Sequence, residues 1–93
     1  MGFSIEIQIE AIWEIQDAFN WYEEQREGLG HEFLAEIETC YQKLSKDPEH
    51  YSYINDIFRR IKTNRFPYLL IYEIDDSRVI INSVRHAKRK PKV

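Results

Sequence analysis

Arg59, Arg60, Lys62 and Arg65 crowd into the stretch RRIKTNRFPYLLIYEI, directly ahead of the most apolar run in a chain whose formal net charge is −3. A guanidinium grips phosphate or carboxylate oxygens through paired N–H donors, and an ammonium adds a compact positive charge. Arg60, Lys62 and Arg65, with Arg89 in the basic tail, are therefore candidates to hold a phosphate or an acidic target. His86 is the candidate acid or base, because an imidazole with an ordinary pKa of about 6.5 gains and loses a proton near neutral pH. Each also has a plainer structural reading. Arg59 and Arg60 can anchor a sheet to helix carboxylates such as Glu36, Arg65 can belong to an ion pair, and His86 can hydrogen-bond at a strand end.

Other chemistries are poorly supplied. The three histidines, His31, His50 and His86, are far apart in sequence, and neither a CxxC nor an HExxH pattern occurs, so no metal site is expected. The glycines, Gly2, Gly28 and Gly30, form no phosphate loop, and no cofactor is implied. A single cysteine, Cys40, excludes an internal disulfide and shares a helical stripe with Phe33, Ile37 and Leu44, which makes it a core residue. No apolar run approaches the ~18 residues of a membrane span, and MGFSIEIQIE lacks the basic start of a signal peptide. A cytoplasmic protein without a membrane partner is expected, with residues 1–93 forming one domain.

Charge is unevenly distributed along the chain. Residues 1–56 carry 13 acidic against 3 basic side chains, and residues 57–93 carry 10 basic against 3 acidic. Such asymmetry points to a basic surface for nucleic acid or an acidic partner, or else to an acidic layer packed beside a basic one.

The elements that must position these groups follow from periodicity. Phe3, Ile5, Ile7 and Ile9 alternate with polar residues and predict a first strand. Ala11, Ile12, Ile15, Ala18, Phe19 and Tyr22 recur at helical spacing, which predicts a helix from about Glu10 to Gln25. Trp13 projects away from that stripe and is a candidate partner contact, while Glu23 and Glu24 read as a solvated face. Gly28-Leu29-Gly30 ends the helix. A second helix, striped by Phe33, Ile37, Cys40, Tyr41 and Leu44, runs to Asp47-Pro48. Strands are then expected over Ile57–Lys62, over FPYLLIYEI and over RVIINSVRH, with turns at Thr63-Asn64 and Asp75-Asp76-Ser77. Tyr68 and Tyr72, on the face of Phe66 and Leu70, belong to the core. The result is an α+β domain of order β-α-α-β-β-β, with a helical hairpin on one face of a small, mainly antiparallel four-stranded sheet. The other face is open and basic.

In this order the pieces resemble the RelE/ParE superfamily of toxins from bacterial type II toxin–antitoxin modules, in particular the plasmid stabilisation group. They are A-x-x-E-I-x-D-A-x-x-W-Y-E-E-Q from Ala11 to Gln25, G-L-G-x-x-F from Gly28, Asp47-Pro48, Arg59-Arg60, R-F-P-Y from Arg65, Ile71-Tyr72 and V-R-H-x-x-R-x-P from Val84. The resemblance implies a small toxin held inactive by a cognate antitoxin, as a hetero-oligomer with it or as a homodimer. It leaves two targets. RelE-like members cut mRNA in the ribosome, for which His86, Arg65 and Arg60 are the carried-over catalytic candidates of a metal-independent endoribonuclease. ParE-like members act on DNA gyrase. The tail AKRKPKV lacks the aromatic residue that RelE-like nucleases often carry there, and the acidic helical half is unfavourable for docking on ribosomal RNA. Both features favour the gyrase reading. A decayed, non-toxic module that binds only antitoxin or nucleic acid is the remaining alternative.

Overall fold

The computed structural model describes residues 2–88. Its elements are β1 (Ser4–Ile7), α1 (Ile9–Gln25), α2 (Leu29–Lys46), β2 (Arg59–Lys62), β3 (Tyr68–Asp75) and β4 (Arg78–His86), with a 3-10 turn at Pro48–His50. The sheet order is β1-β4-β3-β2. β2, β3 and β4 are antiparallel, whereas β1 returns beside β4 as its parallel neighbour. The α+β architecture expected from periodicity is the one observed.

The boundaries shift where local chemistry competes with alternation. Ile9 continues the apolar alternation of β1 yet starts α1, because the chain must turn away after Gln8, whose N–H donates to Ile81 O at 3.0 Å. β2 begins at Arg59 rather than Ile57. The Asn55 side chain accepts the N–H groups of Ile57 and Phe58, at 2.8 and 2.7 Å, and folds residues 55–58 into a tight turn. β3 begins at Tyr68, because Pro67 has no N–H to give to a ladder. β4 matches its predicted span.

The link between the helices is tighter than a helix stop. Gly28 adopts φ 87°, the left-handed region that favours glycine, at the start of α2. Gly30 lies inside α2, where a Cβ would stand 2.5 Å from the Phe19 ring and 2.7 Å from its carbonyl oxygen. Glu23 is not the solvated residue that periodicity suggested. Its carboxylate accepts the N–H groups of Gly28 and Gly30 at 3.2 and 2.6 Å, which satisfies donors at the start of α2. These hydrogen bonds, with Gly28 the first cause, hold its pKa below the ordinary carboxylate value.

The core lies between the helical hairpin and one sheet face. Tyr22, Phe33, Phe66 and Tyr68 form an aromatic cluster with ring centroids 4.8–6.1 Å apart. Leu70, Tyr72, Val79, Ile81 and Val84 extend it along the sheet. Burying such side chains stabilises by roughly 1.5–3 kcal/mol each. Cys40 is part of this core, and burial pushes its thiol up to about 11. Tyr72 lies in the same layer and donates its hydroxyl to Pro48 O at 2.6 Å, which ties the 3-10 turn to the sheet.

Candidate functional site

Ladder partners share a face of a sheet, so the register decides which cations stand together. Tyr68 pairs with His86 and Leu70 with Val84, and Tyr68 packs on Tyr22 and Phe33, so this set faces the helices. The intervening rows face away from them. One runs Lys62–Leu69–Arg85 and the next Arg60–Ile71–Ser83. Arg60, Lys62 and Arg85 thus surround Leu69 and Ile71 on the open face. None of the three forms an ion pair among the described residues.

Arg85 was not singled out by sequence. The signal was available in the alternation of Val84-Arg85-His86, but it becomes decisive only once the partner of Leu69 is known. A relay holds it in place: Arg85 Nε donates to Ser83 Oγ at 2.9 Å, and that hydroxyl donates to the Glu14 carboxylate of α1 at 3.0 Å. Glu14 also accepts the Val84 N–H at 2.9 Å. β1 pairs with β4 only as far as Ile81, and the acidic side chain of α1 takes over the exposed edge beyond it.

The remaining candidates are placed differently. His86 is on the helix-facing side of β4, with its ring 5.3 Å from that of Tyr68 and its Nδ1 accepting the Lys88 N–H at 3.1 Å. Arg65 lies in the link between β2 and β3 and turns to α2, where Nη2 meets Glu32 at 2.6 Å. Its backbone N–H donates to the Glu36 carboxylate at 3.0 Å. The Arg65 hydrogen bond, then that of Arg26, lowers the Glu32 pKa. Arg59 does not take Glu36, the anchor its structural reading offered. Its guanidinium donates to Glu49 O, Tyr51 O and Tyr53 Oη at 3.0, 2.7 and 2.9 Å and stacks 3.9 Å from the Tyr53 ring centroid. Arg89 lies outside the described residues.

The open face is not uniformly basic. Its far end carries the row Glu6–Ile80–Glu73, with Glu6 paired to Arg78 at 3.1 Å. The charge boundary therefore crosses the open face as well as separating helices from strands. At the basic end a groove of about 870 Å³ opens between α1 and the end of β4, lined by Glu14, Asp17 and Trp21 on one side and by Ile71, Arg85 and His86 on the other. Trp13 is elsewhere on α1, 63% exposed and beside the exposed Ile9 and Ile12. No group of three or more metal-ligating side chains occurs among the described residues, and no described helix is long and apolar enough to cross a membrane.

No curated protein matches the chain. Several solved structures share its fold, among them two from toxin–antitoxin systems. The first, described as the chromosomal ParDE toxin–antitoxin system from P. aeruginosa, superposes with a TM-score of 0.81 at 10% identity, over 92% of this chain and 97% of that one. The second, described as the toxin–antitoxin complex RelBE2 from Mycobacterium tuberculosis, gives 0.68 at 19% identity, over 92% and 99%. The model of the ParE toxin of the type II toxin–antitoxin system parDE matches residues 5–91, nearly the whole chain. With the two-helix, four-strand fold and its cationic open face already in place, that match identifies the chain as a member of the ParE toxin family of type II toxin–antitoxin systems.

Proposed function

We propose that this toxin acts on DNA gyrase rather than by cutting mRNA. One observation carries the reading: Arg65, a candidate with Arg60 and His86 for RNA cleavage, lies outside the groove that those two line and is held by Glu32. Attack by a 2'-hydroxyl needs an acid and a base within hydrogen-bond reach of the phosphate that the cations hold. Here Arg60 and Arg85 line the groove together with His86, whose ring packs on Tyr68, while Lys62 stands in the hollow beside it and Arg65 is joined to Glu32. Such a surface suits binding, with Arg60, Lys62 and Arg85 as target contacts.

An antitoxin is the second partner, in keeping with the toxin–antitoxin systems that share the fold. Its segment is placed in the groove between α1 and β4, where Trp21 and Ile71 offer apolar area and Arg85 and Asp17 offer charge of both signs. Trp13 with Ile9 and Ile12 supplies further apolar contact on α1.

The test is pulse-labelling of a bacterial host in the minutes after induction. An early fall in thymidine incorporation while methionine incorporation continues is expected, with inhibition of gyrase supercoiling by the purified toxin. An immediate fall in methionine incorporation, abolished by His86→Ala, would overturn the gyrase reading in favour of mRNA cleavage.

A further inference from the structure

A second depression, of about 520 Å³, adjoins the groove on the β2 side and is lined by His50, Tyr51, Ser52, Arg60, Lys62, Leu69 and Ala87. In a chain with 16 acidic residues, none of these lining side chains is a carboxylate. The larger groove differs, since Glu14 and Asp17 border it. An acidic wall would repel an anion, and here Arg60 and Lys62 line a depression with no carboxylate among its lining residues, while Arg85 borders it from the groove.

We infer that this depression and the adjoining Arg85 bind the phosphodiester backbone of a DNA strand. Arg60 and Lys62 are two residues apart on one strand, about 6.6 Å, an interval comparable with that between successive phosphates of a nucleic-acid strand. Arg85 lies across Leu69 from Lys62, two strand spacings or about 10 Å away. The three cations form a triangle whose interior is the apolar surface of Leu69. His50 is exposed on the rim, edge to face with Tyr51 at 4.9 Å, and offers ring nitrogens to a phosphate or a base. The choice of DNA over RNA rests on the gyrase reading: a toxin that engages gyrase at work meets the DNA that the enzyme holds, and this face would grip that strand.

The test is fluorescence anisotropy with the purified full chain and a short labelled DNA duplex, with an RNA of the same sequence and polyglutamate as competitors. Three phosphate contacts predict that log K falls with log salt at a slope of about −2.7. Arg60→Ala, Lys62→Ala and Arg85→Ala each reduce that magnitude by about 0.9, and His50→Ala weakens binding about threefold. Circular dichroism of each variant confirms folding, which exposed side chains without ion pairs should leave intact. Absence of binding at low salt overturns the inference, as does a slope unchanged in the Arg60 and Lys62 variants. Stronger competition by polyglutamate assigns the site to an acidic peptide, and stronger competition by RNA removes the choice of DNA; either result overturns it. The gyrase reading is separable. Supercoiling inhibition by a toxin that binds no DNA overturns this inference alone, and DNA binding with the expected slope but without inhibition overturns the gyrase reading alone.

Discussion

Arg59 and Arg65 differ from Arg60 and Lys62 in what their charge meets, although all four lie within seven residues of sequence. Arg59 holds carbonyls of the segment that precedes β2, and Arg65 reaches back to α2. Arg60 and Lys62 point the opposite way and have no carboxylate partner among the described residues. A β-strand presents alternate residues to alternate faces, so one basic run supplies both internal fasteners and a free surface. The lesson is that a cluster of like charges in sequence is not a cluster in space until the register is known.

That division is tested most strongly by removing the free set. Replacing Arg60, Lys62 and Arg85 together by Ala should lower toxicity about a hundredfold, as loss of several target-contacting charges does, while the thermal midpoint stays near the parent's; lost stability with retained toxicity would reverse the assignment. Arg59→Ala should do the converse. Losing its charged hydrogen bonds costs about 2 kcal/mol in chemical denaturation, with inhibition by the folded fraction unchanged. Gly30→Ala probes the helical side, where a Cβ against Phe19 should cost about 1–3 kcal/mol through overpacking. Arg65→Ala should lower Tm by only about a degree or two, because its pair with Glu32 is solvent-exposed.

Acid titration sharpens the same contrast with the smallest signal. Glu23 and Glu32 have folded-state pKa values below the ordinary value of 4.5, the first through the Gly28 N–H and the second through Arg65. Their contribution to stability is complete above the unfolded-state value and is lost as pH falls through the lower folded-state values. The Tm of the parent should fall with acid in that window, and Glu23→Gln should flatten the slope there. Arg60→Ala should leave it unchanged.

How much of this was legible in sequence follows from the range of the interactions. Alternation and helical spacing report local geometry, and they gave the order of elements, the helical hairpin and the core positions of Tyr68, Tyr72 and Cys40. They could not give the parallel return of β1 to β4, because nothing in SIEI distinguishes its partner. The site was legible by residue type and only partly by place. Arg60 and Lys62 stand where alternation puts them, whereas Arg65 and Glu23 are governed by partners across the helix–sheet boundary or the interhelical link. Arg85 depended on its pairing with Leu69, and His50 on the 3-10 turn that Tyr72 fastens to the sheet.

The placement of β4 between β1 and β3 also governs when the toxin can exist during its own synthesis. Glu6 and Arg78, paired across that junction, are 72 residues apart. Both helices and three strands precede, in order of synthesis, the strand that joins them. A nascent chain that ends before Arg78 therefore holds β1 without its neighbour and β3 with one edge open, and Arg85 has not been made. Contacts of such long range close last and slowly. The cationic face, which needs Arg85 on β4, is therefore the last part of the sheet to be completed.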